Sequence, residues 1–236
     1  MTAPSKSRWR GVPADERQAE RRAILVEAGF ELLGSAGLAG TTVRGVCETA
    51  RLNPRYFYES FEDLDALLVA VFERTAVEAL EVMMAAGETV VDDPLESMKA
   101  GIGAFIEHVT DDRRRVQVLF IEGMGNEALS RRRLRSMIEL ADLLSTATRE
   151  LGGVVEDDPI FGRAAHLMVG GMAELLNMWL QGEQDSPLEL LIDDIAHLFL
   201  AVGDEARRIA ATRLPPARPA RPARPVRKKA AAKRAH

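Results

Sequence analysis

The sequence predicts an all-α protein: an N-terminal three-helix unit containing a helix-turn-helix, followed by a larger helical bundle. Three observations predict it. Ala, Leu, Val, Glu and Arg dominate a chain of 236 residues with only 5% aromatics, and most of these side chains lose little rotamer freedom in a helix. Apolar residues recur at i, i+3, i+4 and i+7, the period of a helix with one buried face. Helix start signals recur along the chain, whereas the alternation expected of strands and the repeats of solenoids do not. With 47% hydrophobic residues there is enough apolar surface for a real core.

Residues 1–16 read as a flexible basic arm carrying Lys6, Arg8, Trp9 and Arg10. The first helix opens near Pro13 or Arg17 and ends at Leu33. Ile24, Ala28 and Leu32 share one face, joined by Leu25 and Leu33, and Gly34, Gly37 and Gly40 stop the helix. Thr41 or Thr42 caps the second helix, whose apolar face is Val43, Val46, Cys47 and Ala50. Arg51-Leu52-Asn53 makes a tight turn. Asn53 then caps a third short helix, with Pro54 at its first position, where no N–H is missed, and Phe61 closing it. Two short helices joined by a three-residue turn, behind a longer stabilising helix, describe a helix-turn-helix over residues 17–62.

Residues 63–210 continue as helix. The segments are a long helix over about 62–85, then 94–109, 112–123, 126–151, 159–180 and 187–209. Asp158-Pro159 and the Ser186 to Glu189 capping-box spacing mark two of the starts. Residues 211–236 repeat Pro, Ala and Arg and read as a disordered basic tail, because proline resists helix and the charge resists collapse.

Charge is distributed unevenly. Residues 1–60 hold nine Lys/Arg against seven Asp/Glu, residues 61–206 hold 11 against 29, and residues 207–236 hold 11 against none. An acidic body between basic ends points to an anionic partner at the ends. Counterion release would give the tail a non-specific, salt-sensitive affinity for DNA. A single cysteine, Cys47, excludes an intramolecular disulfide and sits on an apolar helix face, as a core residue would. The polar N-terminus has no signal core, and no run of about 18 apolar residues marks a membrane span, so the expectation is a cytoplasmic protein. Phosphate loops, serine elbows, HExxH and paired cysteines are all missing, which argues against an enzyme. No cofactor or metal is expected, since His108, His166 and His197 lack ligand spacing.

The run RRAILVEAGFELLGSAGLAGTTVRGVCETARLNPRYFYESFEDLDALLVAV resembles the DNA-binding domain of the TetR (tetracycline-repressor) family. The matching pieces are Ala23-Ile24-Leu25 with Ala28, Thr41-Thr42-Val43, Phe57-Tyr58-Glu59-Ser60-Phe61 and Leu67-Leu68, across about residues 17–72. Two positions depart from the family pattern. Arg51 stands where the family has glycine in the turn, and Leu64 stands where many members place a phosphate-binding lysine; Arg51, Arg55 or the N-terminal arm would compensate. The resemblance implies that residues 63–210 form a ligand-binding and dimerisation domain. It also implies a homodimer through the last two long helices, binding a palindromic double-stranded DNA operator and released by a small, largely apolar effector.

The physical logic of a helix in the major groove gives each residue a role. Phe57 and Phe61 face inward, and Asn53, Arg55, Tyr56 and Glu59 face outward. Arg55 is the candidate base reader, since a guanidinium fork matches guanine O6 and N7. Tyr56 would meet a thymine methyl or a phosphate, and the resemblance gives Tyr58 a phosphate. Thr42 and Arg44, at a helix N-terminus, would also meet phosphates, and Arg8 and Arg10 an adjacent groove or the backbone. For the effector, Phe105, His108, Phe120, Met124, Leu144, Met168 and Met172 are the candidate lining, because methionine adapts its shape. Gly170-Gly171 inside a helix costs about 1 kcal/mol per glycine, which a close helix approach at a dimer interface or a pocket bulge would explain. The rival reading is a non-enzymatic helical adaptor that binds nucleic acid only through its basic ends.

Overall fold

The computed structural model describes residues 14–90, 92–122, 125–151 and 158–213, and these are helical with no strand. Arg8, Arg10 and Met124, and the basic tail from residue 214 on, lie outside the described residues. The order is α1 (Ala14–Gly40), α2 (Val43–Ala50), α3 (Pro54–Ser60), α4 (Leu64–Glu88), α5 (Pro94–Asp111) and α6 (Arg113–Val116), which runs into a π-helical turn (Gln117–Ile121). Then come α7 (Glu127–Leu151), α8 (Pro159–Leu180) and α9 (Leu188–Arg213).

Side-chain caps set the starts. Thr42 Oγ1 accepts from the Gly45 N–H, Asn53 Oδ1 from Arg55, Asp63 Oδ1 from Ala66, Asp93 Oδ1 from Leu95 and Asp158 Oδ1 from Ile160. Each satisfies an N–H that the helix itself leaves free. Of the two threonines, Thr42 is the cap; buried Thr41 donates to the Gly37 carbonyl at 2.7 Å.

The first helix does not end at Leu33. Gly34 stays helical, because its missing side chain admits Arg114; a Cβ there would sit 2.4 Å from the Arg114 Cβ. The chain turns at Gly37 (φ 68°, ψ −175°), a conformation that suits glycine. Other bounds differ too: α1 takes in residues 14–16 of the expected arm, α4 runs on to Glu88 and α5 to Asp111. Asp63 caps α4, so it opens at Leu64 instead of residue 62. The segment expected over 112–123 shortens to one α turn and one π turn. The last helix runs to Arg213, past Ile209.

One apolar cluster joins α1, α2, α3 and α4 through Leu25, Leu33, Val46, Phe57, Leu67 and Val71, and continues into α5 and α8 through Ile102, Ile106 and Leu176. An 18-residue stretch of α1 is apolar enough to cross a membrane by composition. Leu25, Val26, Ala28, Phe30 and Leu33 of this helix are buried in the core. Within the bundle, Gly101 lets α5 approach α4, since a Cβ would lie 2.9 Å from the Met83 carbonyl. A second cluster (Phe161, Met168, Ala206, Ala210) seals α8 to α9, and a third (Ala141, Ala165, Val169) seals α7 to α8.

Candidate nucleic-acid interface and ligand cavity

The helix-turn-helix is held from inside. Phe57 and Val46 are fully buried and Phe61 and Cys47 nearly so, so truncating Phe57 to alanine should cost about 3–5 kcal/mol. Burial, with the nearby Glu48 carboxylate, pushes the Cys47 thiol up from its ordinary value, as befits a core cysteine. That anchoring leaves Thr42, Arg44, Asn53, Arg55, Tyr56 and Tyr58 exposed. Thr42 and Asn53 spend their side-chain acceptors on capping α2 and α3.

Both arginines are braced one turn along by a glutamate. Arg44 Nε donates to Glu48 Oε1 and Arg55 Nε to Glu59 Oε1, each at 2.8 Å. Arg55 is 82% exposed, and among the described contacts only its Nε is engaged. The terminal amino groups remain free to form a fork. Glu59 is itself fixed to α1: Gln18 Nε2 donates to its carbonyl at 3.1 Å, and Arg21 lies 3.7 Å from its carboxylate. The Arg21 guanidinium also covers one face of the Tyr56 ring, 4.7 Å from the centroid. Arg21 and Gln18 escaped the sequence reading, because nothing in the spacing of α1 tells which of its polar residues meets α3.

The bundle holds two adjoining cavities. The larger, about 340 Å³, lies among α4, α5, the π turn, α7 and α8; the smaller, about 180 Å³, runs on toward α9. Met83, Leu140, Val169 and Met172 line both. Of the expected lining residues, Phe105, Phe120 and Met172 face the larger cavity, while Leu144 faces the smaller together with Met172. His108 and Met168 line neither. Met168 packs between α8 and α9 against Phe161, and the His108 carbonyl accepts from Arg115 Nη1 at 2.7 Å, tying α5 to α6. The larger cavity also takes Arg132, Arg133, Ser136 and Glu139 of α7 and Glu73 of α4 into its wall. The basic run Arg131–Arg133 inside an amphipathic helix was the available signal for these.

The two regions meet at α6 and the π turn. Leu119 and Phe120 of that turn line the larger cavity. Glu122, just after it, accepts from the Leu38 N–H (3.1 Å) and from Gln117 Nε2 (2.7 Å). Arg114 stacks over Phe30 of α1 at 4.9 Å and pairs with Asp112 at 2.7 Å.

No protein-family model matches the chain. Among solved structures it is similar to the transcriptional regulator FadR of Bacillus subtilis in complex with stearoyl-CoA, with 17% identity over 76% of this chain and 98% of that one (TM-score 0.60). A TetR family transcription regulator of Marinobacter aquaeolei VT8 shares 18% identity over 80% and 97% of the two chains (TM-score 0.55). A TetR-like transcriptional regulator of Rhodococcus sp. RHA1 shares 19% over 81% and 97% (TM-score 0.53). At such identities the likeness establishes a common all-α fold.

Proposed function

We propose, from the premise that this chain has the fold of those regulators, that it is a ligand-responsive DNA-binding transcriptional regulator, a repressor that binds a palindromic operator as a dimer. The observation that carries the reading is the exposed set Thr42, Arg44, Asn53, Arg55, Tyr56 and Tyr58 on two helices whose other face is buried. An adaptor would need no such concentration of phosphate- and base-binding groups there. α3 enters the major groove. The free fork of Arg55 takes guanine O6 and N7, with Glu59 holding the Nε side still. Thr42, Arg44 and Tyr58 take phosphates, Tyr56 a thymine methyl or phosphate, and Arg8 and Arg10 extend the contact. Access to chromosomal DNA places the protein in the cytoplasm.

The dimer forms through α8 and α9. Leu167 is 68% and Leu198 57% exposed. Gly170 and Gly171 have nothing within 4 Å of where a Cβ would lie, so packing within one protomer does not ask for glycine, whereas close approach of a second copy would. His166 and His197 are exposed on the same two helices. The effector occupies the cavity pair and shifts the spacing of the two helix-turn-helix units away from the one helical turn that a palindrome requires.

The test is binding to the DNA upstream of the protein's own gene against a scrambled duplex, across a salt series, with Arg55→Ala alongside. The expected result is selective dimeric binding that Arg55→Ala weakens by about 1–3 kcal/mol while relaxing selectivity. Equal binding to both duplexes would leave only the basic ends and favour the adaptor. An absence of binding at low salt, with the sample shown by mass spectrometry to be ligand-free, would overturn the proposal.

A further inference from the structure

We infer that the ligand of this cavity pair is an amphipath, a single long apolar chain ended by an anionic group that Arg133 receives. The inference rests on the ligand-responsive reading above and specifies its chemistry.

The interior is almost purely apolar. The smaller chamber is walled by Met98, Ile102, Leu144 and Phe199, and Met83 and Met172 stand between it and the larger one. Methionine side chains are unbranched and rotate out of a chain's way, so the two chambers accept one extended chain more readily than a rigid ring system. The polar wall is confined to Glu73 and to the α7 residues Arg132, Arg133, Ser136 and Glu139. Val77 and Leu143, each about half exposed, also line this cavity and mark an opening to solvent between α4 and α7.

The formal charges of that polar group cancel, so the field alone selects nothing; hydrogen-bond supply does. Both carboxylates are already engaged by Arg132, whose Nε donates to Glu73 at 2.6 Å and whose Nη1 donates to Glu139 at 3.1 Å. Arg132 is only 17% exposed and serves as the tie between α4 and α7. Arg133, the next residue and also in the cavity wall, has no ion-pair partner among the described residues. Arg132 thus holds one oxygen of each carboxylate, and the opening keeps one guanidinium, that of Arg133, with no carboxylate paired to it among the described residues. A guanidinium fork is matched by a carboxylate or a phosphate, and not by an ammonium.

The experiment uses the delipidated full-length chain and four probes with the same dodecyl chain, kept below their micellar concentrations. They are dodecanoate, dodecyl phosphate, dodecanol and dodecyltrimethylammonium, each measured by displacement of an uncharged fluorescent dye. Expected is binding of at least one anion about tenfold or more tighter than the alcohol, with the cation weakest. The better anion then identifies the head group as carboxylate or phosphate. Arg133→Gln, which breaks no hydrogen bond or ion pair seen among the described residues, brings the anions to the level of the alcohol and leaves the alcohol unchanged. Equal binding of alcohol and anions, a preference for the cation, indifference to Arg133→Gln, or no binding of any probe would each overturn the inference. Repeating the DNA titration with the bound anion separates the two claims. Arg133-dependent binding without release of DNA would uphold the ligand class and remove the switch.

Discussion

Arg51 has φ 53°, the one positive φ at a non-glycine among the described residues. It closes α2, its N–H reaching the Cys47 and Glu48 carbonyls, and it occupies the place where the resembling family has glycine. The left-handed conformation costs an L-residue roughly 1 kcal/mol that glycine does not pay. Arg51→Gly should therefore stabilise the chain by about 0.5–1 kcal/mol and raise Tm by roughly 1–4 °C, measured by thermal unfolding. Arg51→Ala, which keeps the strain, should give no such gain. If the exposed guanidinium meets a phosphate, the glycine variant will also lower the salt dependence of DNA binding by about one ion. A fall in Tm for Arg51→Gly would show that the side chain, and not the backbone, sets the stability of this turn.

α6 shows at the level of an element how distant packing overrides local signals. Asp112 caps it and pairs with Arg114 through both carboxylate oxygens. The Arg114 guanidinium holds the Asp112 carboxyl below its usual range despite partial burial. A depressed carboxylate contributes stability that is present above the ordinary value near 3.9 and is lost as pH falls through the lower, folded-state value. Asp112→Asn should thus cost about 1 kcal/mol at pH 7, and its deficit against the parent chain should shrink below about pH 4. Denaturant titrations at the two pH values check this; a deficit unchanged with pH would mean that the carboxylate's charge is irrelevant. What was legible here and what was not have physical causes. Thr42, Asn53-Pro54 and Asp158-Pro159 act within one turn, so their sequence marks are complete and the helix starts follow. Gly34 and Gly37 look alike in sequence; Arg114, some 80 residues away, makes one a packing site and leaves the other as the turn. Met168 and Met172 share one helix, yet the first serves the α8–α9 contact and the second the cavity, a difference that only the placement of α9 and α4 decides. The outward and inward sides of α3 were readable because Phe57 and Phe61 are large enough to dictate which way the helix faces.

For the whole molecule, exposed leucines on α8 and α9 leave a face that one protomer does not cover. In the proposed dimer, Leu167→Arg would place a like charge on the two-fold face of each copy, where like charges repel and desolvation is costly. Light scattering at micromolar concentration should show the parent as a dimer and the variant as a monomer with unchanged helix content, because Leu167 is 68% exposed and supports no core. Operator affinity should fall with it, since a single helix-turn-helix reads only half a palindrome. A variant that stays dimeric would place the interface elsewhere.

The π turn between α6 and Glu122 has one more consequence. Its closing bond runs from the Glu122 N–H to the Gln117 carbonyl, one residue longer than an α turn, and Glu122 then carries the bond to Leu38 at the end of α1. Helical register changes only in whole residues, each worth about 100° of rotation. Were crowding of Leu119 and Phe120 to expel the extra residue, Glu122 would swing by that full step and release Leu38. A junction that changed in this way would do so by a whole residue, engaged before the step and disengaged after it.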